Sequence, residues 1–153
     1  MDEFDIGYIV FMLGLAAYAI YVKTRSKGNV DALLEKAETK KVEGNYKSAF
    51  ENYKKALGIA FGIKGNTEWT AQGLSEKMEE KGWDIIDAIE GLYSSKSVNY
   101  DFSILRGLVT DFEAFSKDES MVDNYGLPKS DGKAIYKGMR SKLIEIYDDM
   151  PEI

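Results

Sequence analysis

The chain is predicted to be all-α: one N-terminal transmembrane helix, followed by a soluble helical domain of six or seven helices. Three observations carry this. Residues Ile6 to Val22 contain no charged side chain. Downstream, apolar residues recur at three- and four-residue steps, as one face of a helix requires. Nothing alternates with period two for long enough to build a sheet, and the periodic stretches are separated mostly by Gly, Asn and Ser.

The N-terminal run reads IGYIVFMLGLAAYAIYV, and KTRSK follows it. Its 17 residues would span roughly 25 Å of helix, against a bilayer core of about 30 Å. Phe4 would extend the apolar length, and Lys23 and Arg25 would keep their charges in the headgroups. Tyr8, Tyr18 and Tyr21 stand near the two ends, where amphipathic rings favour an interface. A cleaved signal peptide should begin with bases, whereas this chain begins MDEFD, with Asp2, Glu3 and Asp5. A buried core helix is the other alternative for so short a run.

With acids before the span and Lys23, Arg25 and Lys27 after it, the expected topology is single-pass in the cell membrane. Residues 1–5 would form an acidic tail outside, 6–22 the span, 23–29 a basic juxtamembrane linker and 30–153 a cytoplasmic helical domain. Gly7, Gly14 and Ala17 share a helical face and are the candidate positions for close packing between spans.

Composition narrows the function. The formal charge is −6, and the terminal acids and the collar bases cancel, so residues 28–153 carry all of it. An acidic domain is a poor match for nucleic acid, whose binding rests on neutralising phosphates. There is no Cys and no His. That removes disulfides, the usual zinc sites, and Ser-His or Cys-His nucleophiles. Carboxylates, Lys and Tyr remain for chemistry. No cofactor, metal site or catalytic residue is expected, and the chain is read as a non-enzyme.

The elements follow in order. Gly28-Asn29 would end the collar, with Asn29 capping a helix that carries Val30, Leu33, Leu34 and Ala37. Gly44-Asn45 breaks it. The clearest stripe in the chain comes next: Tyr46, Ala49, Phe50, Tyr53, Ala56, Leu57, Ala60 and Phe61, with Lys47, Glu51, Lys54 and Lys55 opposite. Gly62 to Asn66 reads as a loop. Residues 67–96 read as a helix pair. Thr67 would cap the first, with Trp69, Leu74 and Met78 inward and Gly82 ending it; Asp84 would cap the second, with Ile85, Ile86, Ile89, Leu92 and Tyr93. Ser94 to Asn99 is a break. The C-terminal helices lie in 99–153. Asp101 or Ser103 would open one with Leu105, Leu108, Val109, Phe112 and Phe115. Ser130 would cap the last, with Tyr136, Met139, Leu143, Ile146 and Tyr147, and Pro151 would close it.

Residues Ala37 to Leu57, AETKKVEGNYKSAFENYKKAL, resemble the helix–turn–helix core of a tetratricopeptide repeat, within a hairpin over about residues 30–61. The matching positions are Ala37, Gly44-Asn45-Tyr46, Ala49, Tyr53 and Ala56. Lys36 and Lys40 stand where the first helix of such repeats offers Leu and Tyr, and Phe61 where a closing Pro is common. No second copy occurs. The string is equally similar to the related three-helix domain of microtubule-interacting and trafficking proteins, and one hairpin does not separate the two. The resemblance implies a protein-docking face on the first helix, at Asp31, Leu34, Glu38 and Lys41. Leu34 and Glu38 occupy the places of the carboxylate-gripping Lys and Asn of some repeats, so a C-terminal carboxylate ligand is not implied.

Other signals fail. Gly132-Lys133 lacks the first glycine of a phosphate loop, because position 127 is Leu, and Ala134 replaces the hydroxyl residue. Asp118, Glu119 and Asp123 lack the spacing of a calcium loop. The expected function is therefore a membrane-anchored, non-enzymatic adaptor or scaffold. Its partners would be other proteins and the lipid bilayer, with no nucleic acid. The alternative is a structural accessory subunit of a larger integral-membrane complex.

Overall fold

A computed structural model describes residues 3–63 and 71–153, with side chains for 6–18, 29–63, 71 and 73–153. In order along the chain, the helices are α1 (Glu3–Val42), α2 (Tyr46–Ala60), α3 (Ala71–Lys77), α4 (Trp83–Ser95), α5 (Ser103–Ser116) and α6 (Ser130–Asp148). A π-helical turn, Met78–Gly82, joins α3 to α4. The remaining regularity is an isolated antiparallel bridge between Val122 and Pro128. The protein is mostly helical, as the periodicity predicts.

The N-terminus differs from expectation. Among the described residues no helix is long and apolar enough to cross a membrane. This overturns the transmembrane reading of residues 6–22, and with it the single-pass topology and the cell-membrane location with an outside tail and a cytoplasmic domain. The physical reason is length. The charge-free run from Ile6 to Val22 gives about 25 Å of helix against about 30 Å of hydrocarbon. The collar does not end the helix either: the backbone continues without a break through Gly28 and Asn29 to Val42. Asn29 is therefore helical rather than a cap. A single internal glycine costs a helix only about 1 kcal/mol. The expectations for the side chains of Asp2, Glu3, Phe4, Asp5, Tyr21, Lys23, Arg25 and Lys27, and for Thr67 and Trp69, fall outside the described residues.

The α1–α2 hairpin closes through backbone hydrogen bonds at Gly44, whose φ is +81°. Gly44 N donates to Lys41 O (3.0 Å) and Asn45 N to Lys40 O (2.9 Å), which satisfies carbonyls that the helix end leaves open. Asn45 then caps α2, its Oδ1 accepting from Ser48 N at 3.2 Å. The end of α2 repeats the device. Gly62, at φ +67°, donates to Ile59 O, and Ile63 N donates to Gly58 O.

No break occurs at Gly82. Its φ/ψ of −59°/−43° is helical, and the chain passes from α3 through the π turn into α4. Gly82 instead admits a ring: a Cβ there would stand 3.2 Å from Phe61 Cε1. Asp84 sits in the first turn of α4 rather than capping it. Asp101 Oδ1 accepts from Ser103 N at the start of α5.

One core joins the elements. Ala37, Phe50, Tyr53, Leu57, Phe61, Met78, Ile86, Ile89, Leu105, Phe112 and Leu143 are buried in a single cluster. Residues 99–153 thus pack on the hairpin rather than forming a separate lobe. Tyr93 lies at an aromatic junction with Phe50, Tyr100 and Phe102, with ring centroids 5.6–5.7 Å apart. A small satellite of Ala71, Phe115 and Val122 packs under Tyr136.

Candidate functional site

The residues expected to form a docking face on the first helix are placed as follows. Asp31 pairs with Lys81 of the π turn at 3.0 Å. Leu34 is half-buried against the core. Glu38 accepts a hydrogen bond from the Tyr53 hydroxyl. Burial first, and Glu38 second, push the Tyr53 hydroxyl far up from its ordinary value. Lys41 is exposed. Three of the four are therefore engaged within the chain, and Lys41 has no side-chain partner among the described residues.

The hairpin positions Ala37, Ala49, Tyr53 and Ala56 are each at most 1 % exposed. Tyr46 is half-buried at the start of α2. Small residues here let two helices approach, and a ring fills the gap between them. Gly7, Gly14 and Ala17 lie on the exposed N-terminal half of α1. A Cβ added at Gly7 or Gly14 would meet nothing within 4 Å.

That half of α1 forms an arm. From Ile6 to Tyr18, nine large apolar side chains are between 40 and 65 % exposed. Five of them, Ile9 to Leu13, are consecutive, so they point to every side of the helix.

A groove lies between α2 and the segment after α6. Lys47, Phe50, Glu51, Lys54 and Lys55 fall on one face of α2, and with Tyr147, Glu152 and Ile153 they line a cleft of about 190 Å³. A wider depression lined by Tyr46, Lys96 and Val98 continues it, sharing Lys47, Glu152 and Ile153. The wall is well held. Tyr147 donates to Lys54 O at 3.1 Å, and Tyr93 donates to Pro151 O, which seats the segment after α6. Lys54 Nζ lies 5.0 Å from the centre of the Tyr147 ring, and Lys96 Nζ 4.8 Å from that of Tyr46. Among the described residues, none of Lys47, Lys54, Lys55 and Lys96 has a carboxylate partner.

The sequence places Lys47, Glu51, Lys54 and Lys55 opposite the apolar stripe of α2 and does not reveal a groove there. The spacing was visible. The opposing wall comes from residues more than ninety positions further on (Tyr147 against Lys54), and no local pattern reports that.

The remaining polar clusters serve turns. Asp118 Oδ1 accepts from the Ser120 amide and hydroxyl. Asp123 Oδ1 accepts from Tyr125 N and Leu127 N. Gly132 fits against the Met121 carbonyl rather than around a phosphate. Among the described residues no group of three or more carboxylates is placed to hold a metal ion. Glu79 meets Glu113, whose hydrogen bond and charge raise the Glu79 pKa; Lys117, 2.9 Å away, does most to lower that of Glu113.

The fold and these surfaces define a class, a helical bundle with an exposed apolar arm and a basic-rimmed groove. Compared with protein-family models, with curated proteins and with solved structures, the chain matches none.

Proposed function

We propose that this protein is a non-enzymatic helical adaptor that docks other proteins through the arm of α1. The arm itself is the observation that carries the reading. Nine exposed large apolar side chains are a standing unfavourable term in water, since burying one such side chain contributes about 1.5–3 kcal/mol. Contiguous exposed apolar surface of this kind marks an interaction site. The tetratricopeptide-like hairpin supplies a stable base, because α1 continues from the arm into the bundle without a joint.

A second reading is favoured by the distribution of the apolar residues. A helix docking on one partner presents a stripe, whereas a helix apolar on every side is enclosed. On this reading the chain is a structural accessory subunit, its arm surrounded by helices of a larger assembly.

The test is gentle purification of the full chain beside the double variant Phe11→Glu/Leu13→Glu, with identification of co-purifying proteins. The adaptor reading expects a stoichiometric protein that the variant loses. Retention of the same protein by the variant overturns it. Gly14→Leu separates the two readings. It leaves a one-sided dock on another face intact, but disrupts an arm enclosed on all sides.

A further inference from the structure

Going beyond the arm, we infer that the groove between α2 and the segment after α6 binds an acidic peptide segment of a partner protein, anchored by an apolar side chain. The floor is apolar, formed by Phe50, Tyr147 and Ile153. The rim is basic, with Lys47, Lys54 and Lys55 in the cleft and Lys96 in its continuation. Among the described residues these four ammonium groups have no carboxylate partner, on a chain whose net charge is −6. Local charge therefore runs opposite to the charge of the whole molecule, and such complementarity selects an anionic partner. Lys54 and Lys96 lie over tyrosine rings, which holds their charges at the walls of the groove.

Glu51 and Glu152 also share the lining, so the four lysines outnumber two carboxylates there and the anionic groups of an occupant must lie toward the lysines. The size of the cleft disfavours nucleic acid. The cleft of about 190 Å³ admits a side chain or two rather than a stacked strand. A peptide fits that volume, with an apolar residue entering the cleft and carboxylates reaching outward to the lysines of the rim.

The probe is a fluorescein-labelled peptide with two leucines one helical turn apart, flanked by glutamates, titrated into the full chain by anisotropy. Saturable binding is expected, weakening as salt rises. It should weaken about tenfold or more in Lys47→Glu/Lys55→Glu, equivalent to one decade in Kd. Both lysines are exposed, and circular dichroism confirms that the variant is folded. Lys54→Gln is the milder second variant and should weaken binding in the same direction. Replacing the leucines by serine should abolish binding, and replacing the glutamates by lysine should do the same. The inference is overturned by absent saturation, by equal binding of the lysine peptide, or by unchanged affinity in the lysine variants. It is also overturned if a single-stranded oligonucleotide displaces the peptide. Loss of binding in Phe11→Glu/Leu13→Glu would move the site to the arm and overturn it too. Conversely, failure of the arm to retain a partner leaves the groove result standing, so the two readings fail separately.

Discussion

The guanidinium of Arg140 clamps the end of α2 at Phe61, with Nη1 donating to Phe61 O at 2.7 Å and Nη2 to Gly62 O at 3.0 Å. The intrahelical bonds at this turn are made by Gly62 N and Ile63 N, so Arg140 supplies donors to carbonyls further out. A cation at a helix C-terminus also meets the negative end of the helix dipole. One side chain of α6 thereby ties the hairpin to the last helix.

Replacing Arg140 should loosen that tie. Arg140→Met keeps much of the stem and removes both donors. It is expected to cost about 1.5–3 kcal/mol, the range for hydrogen bonds to a charged group. Arg140→Lys should recover only part of this, because an ammonium does not reproduce the planar fork. Denaturant unfolding of the three proteins checks the order, and equal midpoints would remove the clamp from the account.

Two glycines of α6 should respond in opposite directions. A Cβ at Gly132 would stand 2.5 Å from the Met121 carbonyl oxygen and 3.1 Å from Phe115 Cζ. Gly132→Ala should therefore destabilise, by about 1–3 kcal/mol for a forced backbone shift. At Gly138 the same Cβ meets nothing within 4 Å, and Gly138→Ala should stabilise by about 0.5–1 kcal/mol. Thermal unfolding of both variants is the measurement.

Ser97, two residues past the end of α4, has φ at +55°, while its neighbour Val98 donates to Tyr93 O. This position suits glycine, since an L side chain there costs about 1–2 kcal/mol. Ser97→Gly should raise the unfolding midpoint, through a gain of up to about 1 kcal/mol in stability after the added chain entropy of glycine. A lowered midpoint would show that the Ser97 side chain contributes more than its backbone strain costs.

Tyrosines set an alkaline limit. Burial raises the hydroxyl pKa of Tyr53, Tyr93, Tyr100 and Tyr147, with Glu38 adding to the shift at Tyr53 and Asp149 at Tyr100. A raised folded value means that the neutral hydroxyl is favoured in the native state. The associated stability is complete below the unfolded tyrosine value of about 10. It is lost as pH rises from there through the folded values. Unfolding midpoints should be flat with respect to these groups up to about pH 9 and fall above pH 10. Tyr53→Phe should reduce the alkaline slope.

Much of the fold was legible because helices are local. The stripe from Tyr46 to Phe61 marks α2, and Gly44-Asn45 marks its start, since one turn needs a positive φ and the next needs a cap. The elements from α5 onward also follow their apolar periodicity. The site was less legible. Asp31 and Glu38 looked free on the first helix, yet Lys81 and Tyr53 reach them from other elements.

By itself the sequence determined the helical class, the hairpin turn and the absence of Cys and His chemistry. These depend on periodicity, on backbone conformation at single residues and on composition, all of which act within a few positions. Tertiary structure decided that Gly82 does not break its helix, because the Phe61 ring packs against it and outweighs a local preference of about 1 kcal/mol. It decided that residues 99–153 share the core of the hairpin. It also decided where a groove lies, because Lys54 and Tyr147 are neighbours only after the chain has folded back on itself.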